Sequence, residues 1–307
     1  MRLVYLGTPG TAVAPLRALV AAGHEIVLVV SRADARRGRG SGRSPSPVKA
    51  AALELGLTVT DDLEQVAQVQ ADLGVVVAYG RIIPAPLLDH LPMVNLHFSL
   101  LPRWRGAAPV ERAILAGDER TGVCVMDVEV GLDTGGVHAC AEVPIDDRVS
   151  ADELRAQLAE LGSELLVDTL REGLGAATPQ ADEGVTYAHK LGPQDHELHW
   201  DQPATQLLRV VRIGGAHTTF RGARFKVLAA VPGPAEAPTD TTDTTDRTDA
   251  TDRTDATDEP GRLLDATTVA TGAGTLRLVT VQPEGKAAMD AAAWANGARP
   301  AGEVLGR

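Results

Sequence analysis

Cysteine is almost absent from this 307-residue chain, and no apolar run approaches the ~20 residues needed to cross a bilayer. The two cysteines, Cys124 and Cys140, show neither metal-ligand spacing nor a CxxC pair. Each reads as a small buried apolar side chain suited to a reducing compartment. The opening MRLVYLGTPG lacks the basic stretch, apolar core and cleavage site of a secretory signal, so a cytoplasmic location away from any membrane is expected. Two nucleotide-binding signatures are missing as well. The GTPG after the first apolar run is not GxGxxG, and no GxxxxGK[ST] occurs, so those glycines are read as a turn.

Hydrophobic residues make up 44% of the chain and charged residues 23%, ordinary for a soluble globular protein, and the length suits two domains. The net charge of −12 speaks against nucleic acid only until its distribution is considered. Residues 239–259, TDTTDTTDRTDATDRTDATDE, hold eight acids and two arginines, half of the excess. This Thr-Asp repeat has almost no apolar side chain to offset its ordering entropy, so it is expected to be a disordered insertion in a loop. Elsewhere, residues 1–189 carry 16 bases against 25 acids, while 190–238 and 260–307 together carry 11 bases against 8 acids.

RLVYLG (2–7), the helical spacing of Val13, Leu16, Leu19 and Val20 within 12–22, and EIVLVV (25–30) predict a right-handed βαβ unit of a parallel sheet. The alternation continues with a helix over 47–56, a strand over 73–80, a helix near 84–91 and a strand over 93–98. Strands at 122–129 and 135–145 and a long amphipathic helix at 150–173 follow. The fold class expected for 1–189 is a doubly wound, Rossmann-like α/β domain. After a linker at 190–205 the pattern changes to short runs divided by Gly, Pro and Asp, beginning with LLRVVRI. Five or so short strands there predict a small OB-like β-barrel over 206–307.

Ligands of doubly wound sheets bind beyond the carboxyl ends of the strands. At one such end the sequence reads NLHFSLLPRWRGAAP (95–109), with Asn95, His97 and Ser99 on one side of the strand. Further on, GLDTGG contains Asp133. Each residue also has a plainer account. A lone His at a strand end is usually structural, and Ser99 to Pro102 could be only a turn. Asp-Thr-Gly lacks the second matching carboxylate of an aspartic protease, and His196 with His199 lacks further metal ligands, so no metal is expected.

In order, Asn-x-His, Ser-Leu-Leu-Pro and Gly-Leu-Asp-Thr-Gly resemble the signature of the formyltransferase family that uses 10-formyltetrahydrofolate. Three further stretches extend the likeness to nearly the whole chain apart from 231–260. They are GTPGTAVAPLRALVAAGHEIVLVV at the start, RGRGSGRSPSPVKAAALELGL (37–57) and LRLVTVQPEGKAAMDAAAWANGAR (276–299), with TYAHKL and LHWDQPATQLLRVVR at the domain junction. Within the family they are most similar to the members that act on methionyl initiator tRNA. The resemblance implies that Asn95 and His97 hold the formyl oxygen, and that Asp133 moves a proton through water and tunes His97. It also implies that the loop of Ser99, Leu100, Leu101 and Pro102 contacts the folate co-substrate.

The chemistry asks for the same groups: attack on a formyl carbon creates an oxyanion, and the attacking amine must lose a proton as N10 gains one. Phe98 stands where the family usually has a small residue, VRIGGAHTTF is shortened, and the Thr-Asp repeat has no counterpart; none of these removes a catalytic residue. A formyltransferase acting on a small amine, such as glycinamide ribonucleotide or an amino sugar, would share the triplet. A non-catalytic RNA-binding protein would not need it. A monomer is expected.

Residues 31–49 carry Arg32, Arg36, Arg37, Arg39, Arg43 and Lys49 against Asp34 alone, a patch of +5 in an acidic domain, with Gly38, Gly40 and Gly42 expected to keep it mobile. Such a run is usually a solvated face, yet beside the first βαβ unit it also suits phosphate contacts with an RNA end. The resemblance implies that this loop, through Arg36, Arg37, Arg39 and Arg43, enters the tRNA acceptor stem and orders there. The small-amine relatives are not expected to carry it.

Overall fold

The computed structural model describes residues 1–36, 42–234 and 259–307. Arg37, Arg39 and all of the Thr-Asp repeat except Glu259 lie outside the described residues. Two compact units divide the chain, Met1–Lys190 and Leu191–Arg307.

The strands of the first unit are β1 (Arg2–Gly7), β2 (Glu25–Val30), β3 (Ala35–Arg36), β4 (Arg43–Ser44), β5 (Val59–Thr60), β6 (Leu73–Val77), β7 (Met93–His97), β8 (Arg105–Gly106), β9 (Arg120–Asp127), β10 (Val137–Pro144) and β11 (Tyr187–Ala188). Its helices are α1 (Val13–Ala21), α2 (Pro47–Glu54), α3 (Ala85–His90), α4 (Pro109–Ala116) and α5 (Ala151–Glu172). Seven strands form one sheet in the order β10-β9-β7-β6-β1-β2-β5. From β1 the chain steps through β2 to β5 on one side and then returns to β6 on the other, which creates a topological switch beside β1. β7 extends the sheet on the β6 side, so Asn95 and His97 arrive at the carboxyl edge near that switch.

The pairs among β5, β2, β1, β6 and β7 are parallel, as expected. The two strands that follow are not. β9 runs antiparallel to β7 and β10 antiparallel to β9. The nine residues between β9 and β10 are too few for the crossover of a dozen or more that a parallel pair needs.

Sequence signals explain the helix ends. Pro47 opens α2 behind Ser46, whose Oγ accepts the Lys49 N–H at 3.0 Å. Pro109 opens α4, and Gly117, at φ +76°, closes it. In α5, Ser150 Oγ accepts the Glu153 N–H at 3.3 Å while the Glu153 carboxylate accepts the Ser150 N–H at 2.9 Å, a reciprocal capping box.

The cysteines depart from expectation. Cys140 lies directly opposite Cys124 in the β9–β10 ladder, and the two form a disulfide, with Cys124 buried and Cys140 exposed. Sixteen residues of separation carry no local signal for this pairing, because the strand register alone brings the two together.

The second unit contains α6 (Ala204–Arg212), β12 (His217–Phe220), β13 (Ala223–Pro232), β14 (Thr268–Ala270), β15 (Thr275–Pro283), β16 (Met289–Asp290) and α7 (Ala291–Ala298). Its antiparallel sheet has the order β12-β13-β15-β14, with β16 also on β15. Among the described residues no pairing closes this sheet into the barrel expected. Phe220, Phe225 and Trp294 pack with ring centroids 4.7 to 6.0 Å apart.

LLRVVRI, read as a short β-like run, is helical: Leu207, Val210 and Val211 fall on one buried face of α6 at i, i+3 and i+4. Residues 191–205, read as a linker, belong to the second unit. There Leu198 and Trp200 are buried, and Trp200 Nε1 donates to Thr218 Oγ1 at 3.1 Å. Among the described residues no helix is long and apolar enough to cross a membrane.

Replacing Ser150 with Ala removes one side of the α5 capping box and should cost about 1 kcal/mol of stability. The expected observation is a lower urea midpoint with an unchanged slope.

Candidate active site

β7 is buried on both faces except at Asn95, which is half-exposed. Asn95 pairs in register with Val76 and Met126, and His97 with Cys124. Being two residues apart on a strand, the Asn95 amide and the His97 ring project to one side. Among the described residues the Asn95 amide has no protein hydrogen-bond partner, whereas the His97 ring is hydrogen-bonded through Nε2 and faces a carboxylate with Nδ1.

His97 Nε2 lies 2.9 Å from the Trp104 carbonyl oxygen. A carbonyl only accepts, so Nε2 carries the hydrogen and donates it. That leaves Nδ1 facing the Asp133 carboxylate, with 3.7 Å between Nδ1 and Oδ2. Nδ1 is an acceptor in the neutral ring and a donor in the imidazolium. The pair is shielded from water, His97 being 6% and Asp133 17% exposed at the side chain. Trp104 itself sits at φ +63°, its N–H donating to Thr186 Oγ1 at 2.9 Å.

Asp133 lies in the loop between β9 and β10 at φ +51°, a left-handed conformation uncommon outside glycine. Its Oδ2 accepts the Gly106 N–H at 2.7 Å, and its backbone carbonyl accepts Gln180 Nε2 at 2.9 Å. A hydrogen bond to a charged group contributes on the order of 1.5–3 kcal/mol, so the Gly106 contact is the dominant polar restraint on this carboxylate. Gly106 is at φ +123°, and a Cβ there would stand 2.8 Å from the Ala188 carbonyl oxygen. Glycine is therefore required at the residue that offers the N–H.

The segment after β7 turns through a cis Leu101–Pro102 peptide. Ser99 is fully buried, and its hydroxyl donates to the Arg103 carbonyl at 2.6 Å, so it is spent on shaping the turn. Leu100, Leu101 and Pro102 are half-exposed, and Phe98 is buried beside them. Arg103 forms a two-point bond to Asp118, at 2.8 and 2.6 Å, and lies over the Trp104 ring. Its hydrogen bonds to that carboxylate hold the guanidinium pKa above its ordinary value. A cavity of about 350 Å³ lined by Leu100, Arg103, Trp104 and Asp118 does not include Asn95, His97 or Asp133.

The basic loop is described at its base. Arg36 and Arg43 are exposed and directly opposed across the β3–β4 pair, while Lys49 Nζ is bound to Asp34 at 2.7 Å. Like charges facing each other across a ladder are destabilising, so this pair favours an incoming anion. Of the two histidines considered as ligands, His196 bonds the Gly214 carbonyl through Nδ1 at 2.7 Å and His199 is exposed. Among the described residues no cluster of three or more His, Cys, Asp or Glu side chains could hold a metal.

Sequence reasoning missed the Trp104 carbonyl, the Gly106 N–H, Thr186 and Gln180. Backbone groups carry no side-chain signature, and Gln180 sits in a Gly- and Pro-rich stretch without periodicity.

Comparison with known proteins bears on this site. Residues 1–170 match the family model described as formyl transferase, and residues 190–299 match formyl transferase, C-terminal domain. A methionyl-tRNA formyltransferase of Methylobacterium sp. (strain 4-46) is 43% identical over 97% of this chain and 97% of its own length. One from Symbiobacterium thermophilum is 40% identical over 97% of this chain and 92% of its own. Among solved structures, an N-formyltransferase from Helicobacter canadensis, in complex with folinic acid and dTDP-3-aminofucose, superposes with a TM-score of 0.64. It is 15% identical and covered over 98% of its length by 92% of this chain. HypX from Aquifex aeolicus in complex with tetrahydrofolic acid gives 0.63 at 15% identity over 96% of this chain. The chain spans about half the length of the HypX structures it matches.

Proposed function

Because the chain belongs to the formyl transferase family, with both family domains present and relatives about 40% identical over nearly its full length, we propose that it formylates methionyl initiator tRNA from 10-formyltetrahydrofolate. The observation that carries the chemistry is the shielded His97–Asp133 pair beside the free amide of Asn95 at one strand end.

The α-amino group of the methionyl ester attacks the formyl carbon, a C–N bond forms, and the carbonyl oxygen becomes an oxyanion. Asn95 donates to that oxygen, and His97, its ring oriented by the Trp104 carbonyl, can donate to it from Nδ1 only as the imidazolium, with both ring nitrogens carrying hydrogen. Asp133 takes the amine proton through water, N10 receives one, and the C–N10 bond breaks to release tetrahydrofolate. The turn Ser99–Pro102 contacts the folate through its backbone and the apolar faces of Leu100 and Leu101.

The acceptor is the less constrained half of the reading. The full-length relatives bearing methionyl-tRNA formyltransferase names support tRNA over a small amine, as does the opposed Arg36–Arg43 pair at the base of the +5 loop. In this reading Arg36, Arg37, Arg39 and Arg43 bind acceptor-stem phosphates, and the second unit is an OB-like tRNA-binding domain. The protein acts as a cytoplasmic monomer.

Two outcomes follow. Purified protein should formylate methionyl initiator tRNA but neither uncharged tRNA nor an amino sugar nucleotide, and Asp133→Asn or Asn95→Ala should lower kcat by roughly 10²–10³-fold. Transfer to the small amine alone would overturn the tRNA half and keep the chemistry. Replacing Arg36 and Arg43 together by Ala should raise KM for tRNA while leaving KM for folate unchanged. The slope of log affinity against log salt should flatten by about one for each phosphate that is no longer neutralised; an unchanged slope would contradict the assignment.

A further inference from the structure

Gln180 lies between α5 and β11, 47 residues beyond Asp133 in the chain, and its side chain is fully engaged. Nε2 donates to the Asp133 carbonyl at 2.9 Å and to the Gly135 carbonyl at 2.8 Å. Oε1 accepts from Arg105 Nε at 3.0 Å and Nη2 at 2.7 Å. Carbonyls only accept and a guanidinium only donates, so chemistry fixes which way the amide points. No other neutral side chain offers two hydrogens on one side and an acceptor on the other at this reach, except the shorter Asn.

The segment around Gln180 is itself anchored to both loops it joins. Thr178 and Val137 exchange backbone hydrogen bonds at 2.8 Å in each direction. Arg105 N–H donates to the Thr186 carbonyl at 2.9 Å, and Ala107 N–H to the Ala188 carbonyl at 2.8 Å. Gln180 thus sits on a strap tied at one end to the root of β10 and at the other to the residues flanking Gly106.

Asp133 needs such support. Its left-handed backbone is one that Asp tolerates better than most residues but still at a cost, so surrounding contacts hold it there. The 3.7 Å between His97 Nδ1 and the carboxylate is also longer than a hydrogen bond, so a small displacement of the loop decides whether the two groups cooperate. Misplacement of a reacting group by about 1 Å costs on the order of 10²-fold in rate.

The geometry points to Gln180 as a positioning residue that fixes the backbone of Asp133 by bridging its carbonyl, and that of Gly135, to the Arg105 guanidinium. It touches neither folate nor amine and acts through Asp133, so the assignment rests on the proposed role of that carboxylate.

The test compares Gln180→Glu, which keeps the acceptor toward Arg105 but turns an acceptor on the two carbonyls, with Gln180→Met, which keeps the volume and removes every hydrogen bond. Full-length variants are assayed for formyl transfer to methionyl initiator tRNA, and the folate-competent fraction is measured by titration with folinic acid. Both variants should lose about 10–100-fold in kcat, with KM for both substrates within about threefold of the parent and the folinic acid stoichiometry unchanged.

A parental kcat in either folded variant overturns the inference. So does a loss that follows a reduced folate-competent fraction, since that marks a merely structural role; a variant that fails to fold counts in the same way. Asp133→Asn run beside them separates the two levels. If it keeps full activity, the role given to Asp133 falls and the inference with it. If it is inactive while both Gln180 variants match the parent, only the positioning role falls.

Discussion

Gly106 gives its backbone N–H to the Asp133 carboxylate over 2.7 Å, and this bond between residues 27 apart joins the two loops that face each other across the carboxyl edge of the sheet. Much of the local chain is arranged to make it possible. The β8–β11 pairing brings Ala188 so close that position 106 tolerates no side chain, and the backbone at φ +123° suits only glycine. On the other side, Asp133 is held in a left-handed conformation that aims its carboxylate inward. One residue before Arg105, the Trp104 carbonyl settles which nitrogen of His97 carries hydrogen. Three consecutive residues, Trp104, Arg105 and Gly106, therefore orient the His97 ring, bind Gln180 and hold the Asp133 carboxylate.

The sheet explains why that edge is available. Parallel strands β1, β6 and β7 are buried on both faces except at Arg2 and Asn95, so their sequences read as almost continuous apolar runs. Asn95 breaks that run inside β7, and His97 ends it. Both polar groups are placed against the folding preference of a buried strand, an arrangement a sequence tolerates where the site requires it.

Continuous apolar runs are also what made the first half of the fold legible: RLVYLG, EIVLVV and MVNLH each lie in the strands expected of them, and the amphipathic stretch 150–173 contains α5. The direction of β9 and β10 was not legible in apolar content, since the buried run of β9 resembles a parallel strand; the nine-residue connection, too short for a parallel crossover, decides it. In α6, Val210 and Val211, β-branched and of high β propensity, mask a helical face. The disulfide was hidden for the same reason as the strand direction, being a fact of register. Of the candidate site, the side chains were legible through their motif. The backbone donors and acceptors that set their geometry, and the Gln180 strap, become visible only when segments distant in sequence are brought together.

The most direct measurement is a crystal structure of the protein with bound folinic acid. The account predicts the pteridine against Ser99–Pro102 and N10 directed at Asn95 and His97, with the Gly106–Asp133 bond intact. Folate seated instead in the cavity of Arg103, Trp104 and Asp118, with N10 remote from Asn95 and His97, would contradict it.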